Sequence, residues 1–205
     1  MFYRLCWPAD GKYATCSPYL PVYETKLDDV CPLCGRNLAG RYWQHPRVLK
    51  ITGKRFPDFM FSTPYPAVSE KFRNAYEKSN LKGILSFDEI EHYHLNRGIN
   101  ANPKYYTIKV VRSRLEIDYA NSTISWSSVK HSHFCSLCDP KSATISKIGR
   151  LAFHEGGDNG EDIFTLCPTG NALYLSEKFI AFVKENRLTN LGVRPLNNLE
   201  KTIVL

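Results

Sequence analysis

Two stretches of the chain carry the same apolar rhythm. Val68, Phe72, Ala75 and Tyr76 fall at i, i+4, i+7 and i+8, and so do Leu175, Phe179, Phe182 and Val183. That spacing lines one face of an α-helix and predicts helices over residues 68–78 and 175–185. Each pattern contains the same tetrapeptide, Ser69-Glu70-Lys71-Phe72 and Ser176-Glu177-Lys178-Phe179. The serine can cap the first turn, and the glutamate after it complements the positive end of the helix dipole. Short apolar runs follow at 83–87 and 190–193, and each reads as a strand after a turn.

The repetition extends beyond the helices. Cys31-Pro32-Leu33-Cys34 recurs as Cys135-Ser136-Leu137-Cys138, and Asp58-Phe59 recurs as Asp162-Ile163, both 104 residues on. The serine tetrapeptide recurs 107 residues on, so the second half carries three extra residues, placed near Thr169-Gly170-Asn171. Upstream, Phe2-Tyr3-Arg4-Leu5 resembles Tyr105-Tyr106-Thr107-Ile108. Four features in one order at nearly one offset point to internal duplication. Two related α+β halves are expected, 1–98 and 99–205, forming one compact unit, with the boundary in the Asn-, Gly- and Pro-rich residues 96–103. Between the halves, 105–111 and 123–126 have strand character. Residues 114–119 alternate apolar and charged through Leu115, Ile117 and Tyr119, and the whole reads as a meander leading to the second cysteine pair. Phe164-Thr165-Leu166-Cys167 reads as a core strand.

Composition narrows the class. Of 205 residues, 43% are hydrophobic, enough for a packed core. No apolar run is long enough to span a bilayer. The first ten residues lack the charged and apolar regions of a signal peptide, so a soluble cytoplasmic protein is expected. The formal net charge of +7 would suit weak attraction to nucleic acid, but the basic residues are scattered and nucleic-acid binding is not the expectation.

Seven cysteines, an odd number with no export signal, argue against a disulfide framework. Four of them form two Cys-x-x-Cys knuckles, each placing two thiolates on one side of a tetrahedron, as zinc requires. Pro32 and Gly35 suit the tight turn of the first knuckle. Asp139 stands where the second would favour glycine, and it tolerates positive φ better than most residues. Duplication predicts that Cys31, Cys34, Cys135 and Cys138 share one structural zinc ion, in a zinc-ribbon-like site that joins the halves. His131 and His133 lie close enough in sequence to replace a thiolate. Cys6, Cys16 and Cys167 are expected to be buried apolar thiols.

The sequence contains no Gly-x-Ser-x-Gly elbow, phosphate loop or His-Glu-x-x-His helix. Gly156-Gly157-Asp158-Asn159-Gly160 reads as a hairpin or loop. His92-Tyr93-His94 with Asn96 has some likeness to a His-Asn-His nuclease, but the strand-borne Asp-His start is missing. No enzymatic activity is therefore expected. Phe2-Tyr3-Arg4-Leu5, Cys31-Pro32-Leu33-Cys34-Gly35 and the distant second Cys-x-x-Cys together resemble the double-CXXCG motif proteins. That family includes bacterial immunity proteins of contact-dependent toxin systems. The resemblance implies a protein that binds and neutralises a cognate toxin domain, with an unspecified interface. Arg41-Tyr42-Trp43 and His92-Tyr93-His94 are candidate anchors by residue type. The alternative is a zinc-ribbon protein that binds nucleic acid.

Overall fold

The computed structural model describes residues 1–8, 11–18, 23–25, 30–36, 38, 41–43, 45–61, 66–95, 103–154 and 160–205. Most of the expected boundary at 96–103 and of the loop at 156–160 lies outside them, as do the side chains of Arg41, Tyr42 and Trp43. The chain begins with β1 (Phe2–Cys6), β2 (Thr15–Pro18), β3 (Tyr23–Thr25), β4 (Arg41–Trp43), β5 (Val48–Thr52), β6 (Phe59–Met60) and β7 (Ala67–Ser69). Helix α1 (Glu70–Glu77) leads to β8 (Ile84–Glu89), β9 (His92–Leu95), β10 (Tyr105–Val110), β11 (Arg112–Ser113), β12 (Thr123–Lys130) and β13 (Ala143–Arg150). Then come β14 (Ile163–Leu166), β15 (Leu173–Ser176), α2 (Glu177–Glu185), β16 (Gly192–Pro195) and β17 (Ile203–Val204). The architecture is mixed α and β, with sheet predominant.

Both helices start where the serines place them. Ser69 Oγ accepts from the Phe72 amide, and Ser176 Oγ from the Phe179 amide, each at 3.1 Å. Val68 and Leu175, the first apolar positions of each helical pattern, instead lie in the strands just ahead. Extended backbone at each cap makes that switch necessary.

Two sheets organise the chain. One runs β6-β7-β10-β8, and the other runs β11-β14-β15-β1-β16-β17. In the first, β10 lies between the strands that flank α1; in the second, β1 lies between the strands that flank α2. Even the register corresponds, with Tyr105 opposite Ser69 and Phe2 opposite Ser176. Thus β1, from the start of the chain, sits in the sheet of the C-terminal helix. Likewise β10 sits in the sheet of the N-terminal helix.

A shared core lies between the two units. Phe72 and Phe179, both fully buried, meet with ring centres 6.1 Å apart, and Phe182 packs edge-on against Phe72 and Tyr76. The opposite faces of the sheets are covered too. Met60, Ala67 and Tyr105 pack with Leu49, Ile51 and Ile90 on one side. Phe164, Leu166 and Tyr174 pack with Leu115, Ile117 and Leu199 on the other. Strands buried on both faces read as continuous apolar runs, which is why alternation is weak in them.

The expected meander is not formed. β10 pairs with β7 and β8, β11 runs parallel to β14, and β12 pairs with β13. The alternation of 114–119 marks true burial of Leu115 and Ile117, but the segment makes one isolated bridge, Ile117 to Phe153, and no strand. Alternation records which side chains face a core; it does not supply a neighbouring strand edge.

Two carboxylates tie the units together reciprocally. Asp58 accepts from its own cap serine, Ser69 Oγ, at 2.6 Å, and from the Thr189 amide and hydroxyl beyond α2 at 2.9 and 3.0 Å. Asp162 accepts from Ser176 Oγ at 2.7 Å and from the Lys82 amide beyond α1 at 3.1 Å. Both aspartates are buried, so truncation strands donors that cannot reach water. Asp58→Ala is expected to cost about 2–3 kcal/mol and Asp162→Ala less, since Asp58 holds more partners. Denaturant melts of the two variants would check both the size and the order.

Candidate metal centre

Cys31, Cys34, Cys135 and Cys138 converge. Their sulfur atoms all lie within 4.8 Å of one another and can hold a metal ion. Cys31 Sγ is 3.9 Å from Cys135 Sγ, and Cys34 Sγ is 3.6 Å from Cys138 Sγ. None of the four is in a disulfide. Three are buried and Cys34 is exposed.

Each pair sits in a tight turn. In the first, Gly35 at φ +70° lets its amide bond the Cys31 carbonyl at 2.9 Å, while the Cys31 amide reaches the Arg36 carbonyl at 2.8 Å. The second closes one residue sooner: Cys135 and Asp139 exchange backbone bonds at 3.2 and 2.9 Å. Asp139 does not take the positive φ expected of it; Ser142 does, at +47°. A side chain at the glycine position is accommodated by this shorter closure. Asp139 then turns its buried carboxylate to Arg36 Nη1 at 2.8 Å, which links the two knuckles, and to His131 Nε2 at 3.3 Å.

The thiols differ in acidity. Burial alone would push Cys135 up, but the amides of Cys138 and Leu137 and the neighbouring Cys34 and Cys138 outweigh it and bring it down to about 7. Burial, together with the thiols of Cys34, Cys31 and Cys135, drives Cys138 strongly up. Four thiolates this close repel one another, and a cation among them removes that penalty. The donor set fits a soft or borderline metal ion.

His131 and His133 have different places. His131 pairs with Asp139 at 3.3 Å. His133 Nε2 lies 3.8 Å from both Cys34 Sγ and Cys138 Sγ, at the edge of the cluster. Cys167 follows β14 and belongs to one buried cluster with Cys31, Cys135 and Cys138, against which Leu38 and Leu137 pack. Its burial was expected; its position against the site was not, because nothing in its spacing relates it to the knuckles. Cys16 is buried and Cys6 half-buried, both outside the cluster. His92 and His94 lie on β9, which runs parallel to β5. Among the described residues they join no group of metal-binding side chains. Tyr93 turns inward, with its hydroxyl accepting from the Tyr105 amide at 2.8 Å.

Fold and site define an α+β protein whose two sheet–helix units share one core and which carries a four-cysteine cluster able to hold a metal ion. No helix among the described residues is long and apolar enough to cross a membrane. The model of an immunity protein family (Imm11) matches residues 37–198, well over half of the chain. The chain belongs to the Imm11 immunity protein family. The matched segment contains Cys135 and Cys138 and begins just after Cys31 and Cys34. No curated protein matches the chain.

Proposed function

We propose that this chain is a cytoplasmic immunity protein that binds and neutralises one cognate bacterial toxin domain, stoichiometrically and without turnover. Membership of the immunity family is the observation that carries this reading. The four cysteines hold one structural zinc ion. A zinc–sulfur bond of about 2.3 Å gives a tetrahedron whose sulfur–sulfur edges are about 3.8 Å. The 3.9 and 3.6 Å separations support that ion. A closed site of four thiolates leaves zinc no position for a reactive water, so the metal's role is structural.

The two halves, 1–98 and 99–205, descend from a duplication and exchange their first strands. Ser69 and Ser176, Asp58 and Asp162, and Lys82 and Thr189 then occupy equivalent places, each aspartate accepting from the serine of its own unit and from Thr189 or Lys82 of the opposite one. The exchange makes the halves interdependent, which suits a rigid binding partner for another protein.

Co-expression provides the test. The toxin domain is expected in the C-terminal part of a large secreted protein encoded beside this chain. Cells producing that domain should survive only when this chain is made at an equal or greater level, and the two should elute as a one-to-one complex. Failure to bind, alongside salt-sensitive binding to DNA or RNA, would overturn the reading in favour of a nucleic-acid-binding protein.

A further inference from the structure

The four thiolates are not equally protected. Cys31, Cys135 and Cys138 are buried, while Cys34 is exposed. A metal ion leaves such a site by losing one ligand at a time, and the ligand that water or a competing chelator reaches first governs the rate. Cys34 is therefore the weak corner. Its sulfur lies 3.6 Å from that of Cys138, and one further side chain spans this pair. His133, half-buried, places Nε2 3.8 Å from Cys34 Sγ and 3.8 Å from Cys138 Sγ.

Two roles are open to an imidazole in that place, and geometry separates them. A ligand nitrogen takes a corner of the tetrahedron. With a zinc–nitrogen bond of about 2.0–2.1 Å, it stands about 3.6 Å from three sulfur atoms at once. His133 is close to two sulfurs and does not join the group whose ligand atoms all lie within 4.8 Å of one another. It thus stands over one edge of the tetrahedron and not at a corner. The other role is donation. Metal-bound thiolates carry no proton, so between sulfur and imidazole only the nitrogen can donate. With its proton on Nε2, His133 shares one N–H between two sulfurs.

The cluster has need of such a donor. Four thiolates around one divalent ion leave excess negative charge, which hydrogen bonds to sulfur disperse. The amides of Leu137 and Cys138 reach Cys135, and that of Arg36 reaches Cys34. Around Cys138, burial and the three other thiols dominate, and all of them disfavour its thiolate.

We infer that His133 is a positioning residue for the metal ion: it donates from Nε2 to the thiolates of Cys34 and Cys138 and thereby slows release of the ion through the exposed corner. This rests on the reading that the four cysteines hold zinc.

The test measures how fast the purified, reduced, zinc-loaded full chain gives up its metal to an excess of chelator. His133→Phe keeps a ring without an N–H, and His133→Ala removes both. Each should release zinc at least about tenfold faster, the scale on which groups that hydrogen-bond metal ligands act. His133→Gln restores an N–H donor at similar reach, but its amide nitrogen does not ligate zinc, so it should release at close to the parent rate. In cobalt-loaded protein, the visible spectra of the parent and His133→Phe should coincide, as four sulfur ligands require. Parent-like release from His133→Phe and His133→Ala would overturn the proposal, as would release from His133→Gln as fast as from His133→Phe. A cobalt spectrum altered in His133→Phe would make the imidazole a ligand and overturn donation. A parent chain that binds no zinc would sink the metal reading itself, a result distinct from zinc-loaded parent and variant chains with equal release rates.

Discussion

Cys135→Ser is expected to cost the protein its metal and most of its stability together. A structural zinc site of four thiolates is worth on the order of 10–16 kcal/mol in apparent binding, and a whole domain retains only about 5–15 kcal/mol net. The site joins residues 104 positions apart, so the unfolded chain contains no preformed version of it, and binding energy becomes folding energy. Loss of a buried ligand should therefore destabilise by about 5 kcal/mol or more. Cys31→Ser should behave alike, since Cys31 is equally enclosed. Cys34→Ser should be milder: Cys34 is exposed, and His133 Nε2 stands 3.8 Å from its sulfur, ready to serve as a substitute ligand. Elemental analysis should give about one zinc per parent chain, and melting after chelation should reproduce the Cys135→Ser curve. Two zinc ions per chain, or none in protein kept reduced, would refute the shared site.

The same comparison explains why the cysteines could be read from sequence while their setting could not. A Cys-x-x-Cys turn is a local object, and its repetition at a fixed offset is enough to pair it with its partner. Helix starts are local too, so Ser69 and Ser176 announced the caps that form. The sheet placement of β1 and β10 left no comparable signal. An apolar run marks a strand, but Phe2–Cys6 carries nothing that says it will lie between Leu173–Ser176 and Gly192–Pro195. The same holds for Asp58, whose repeat with Asp162 was visible though its bond to Thr189, 131 residues away, was not. In the second knuckle, the departure at Asp139 was visible but its consequence was not. Positive φ was available to it, yet a buried ion pair with Arg36 and a shorter turn proved the arrangement adopted.

Gly83→Ala is expected to be among the most damaging single changes outside the cysteines. Gly83 occupies φ +120°, and a Cβ built there would lie 1.8 Å from the Ile163 carbonyl oxygen. Neither side can yield cheaply. Gly83 accepts the Val111 amide at 2.9 Å and opens into β8, which is paired along β10. Ile163 begins β14, which is paired with β15, and its amide bonds the Lys82 carbonyl at 3.2 Å. Overpacking against backbone and an unfavourable φ together should cost about 4 kcal/mol or more. At this chain length that lowers the melting temperature by roughly 8–16 °C. Gly35 supplies the contrast. Its φ is +70°, but no atom lies within 4 Å of a Cβ there. Gly35→Ala should therefore lose only about 1 kcal/mol, the strain of the left-handed conformation alone. The turn beyond α2 meets the opposite unit in a related way, since Asn190, at φ +68°, donates from Nδ2 to the Phe59 carbonyl at 2.7 Å. If the two units are held together at these turns, Gly83→Ala should lower the melt of both zinc-loaded and chelated protein. A melt lowered no further than that of Gly35→Ala would show that the close approach at Ile163 relaxes freely and does not hold the units together.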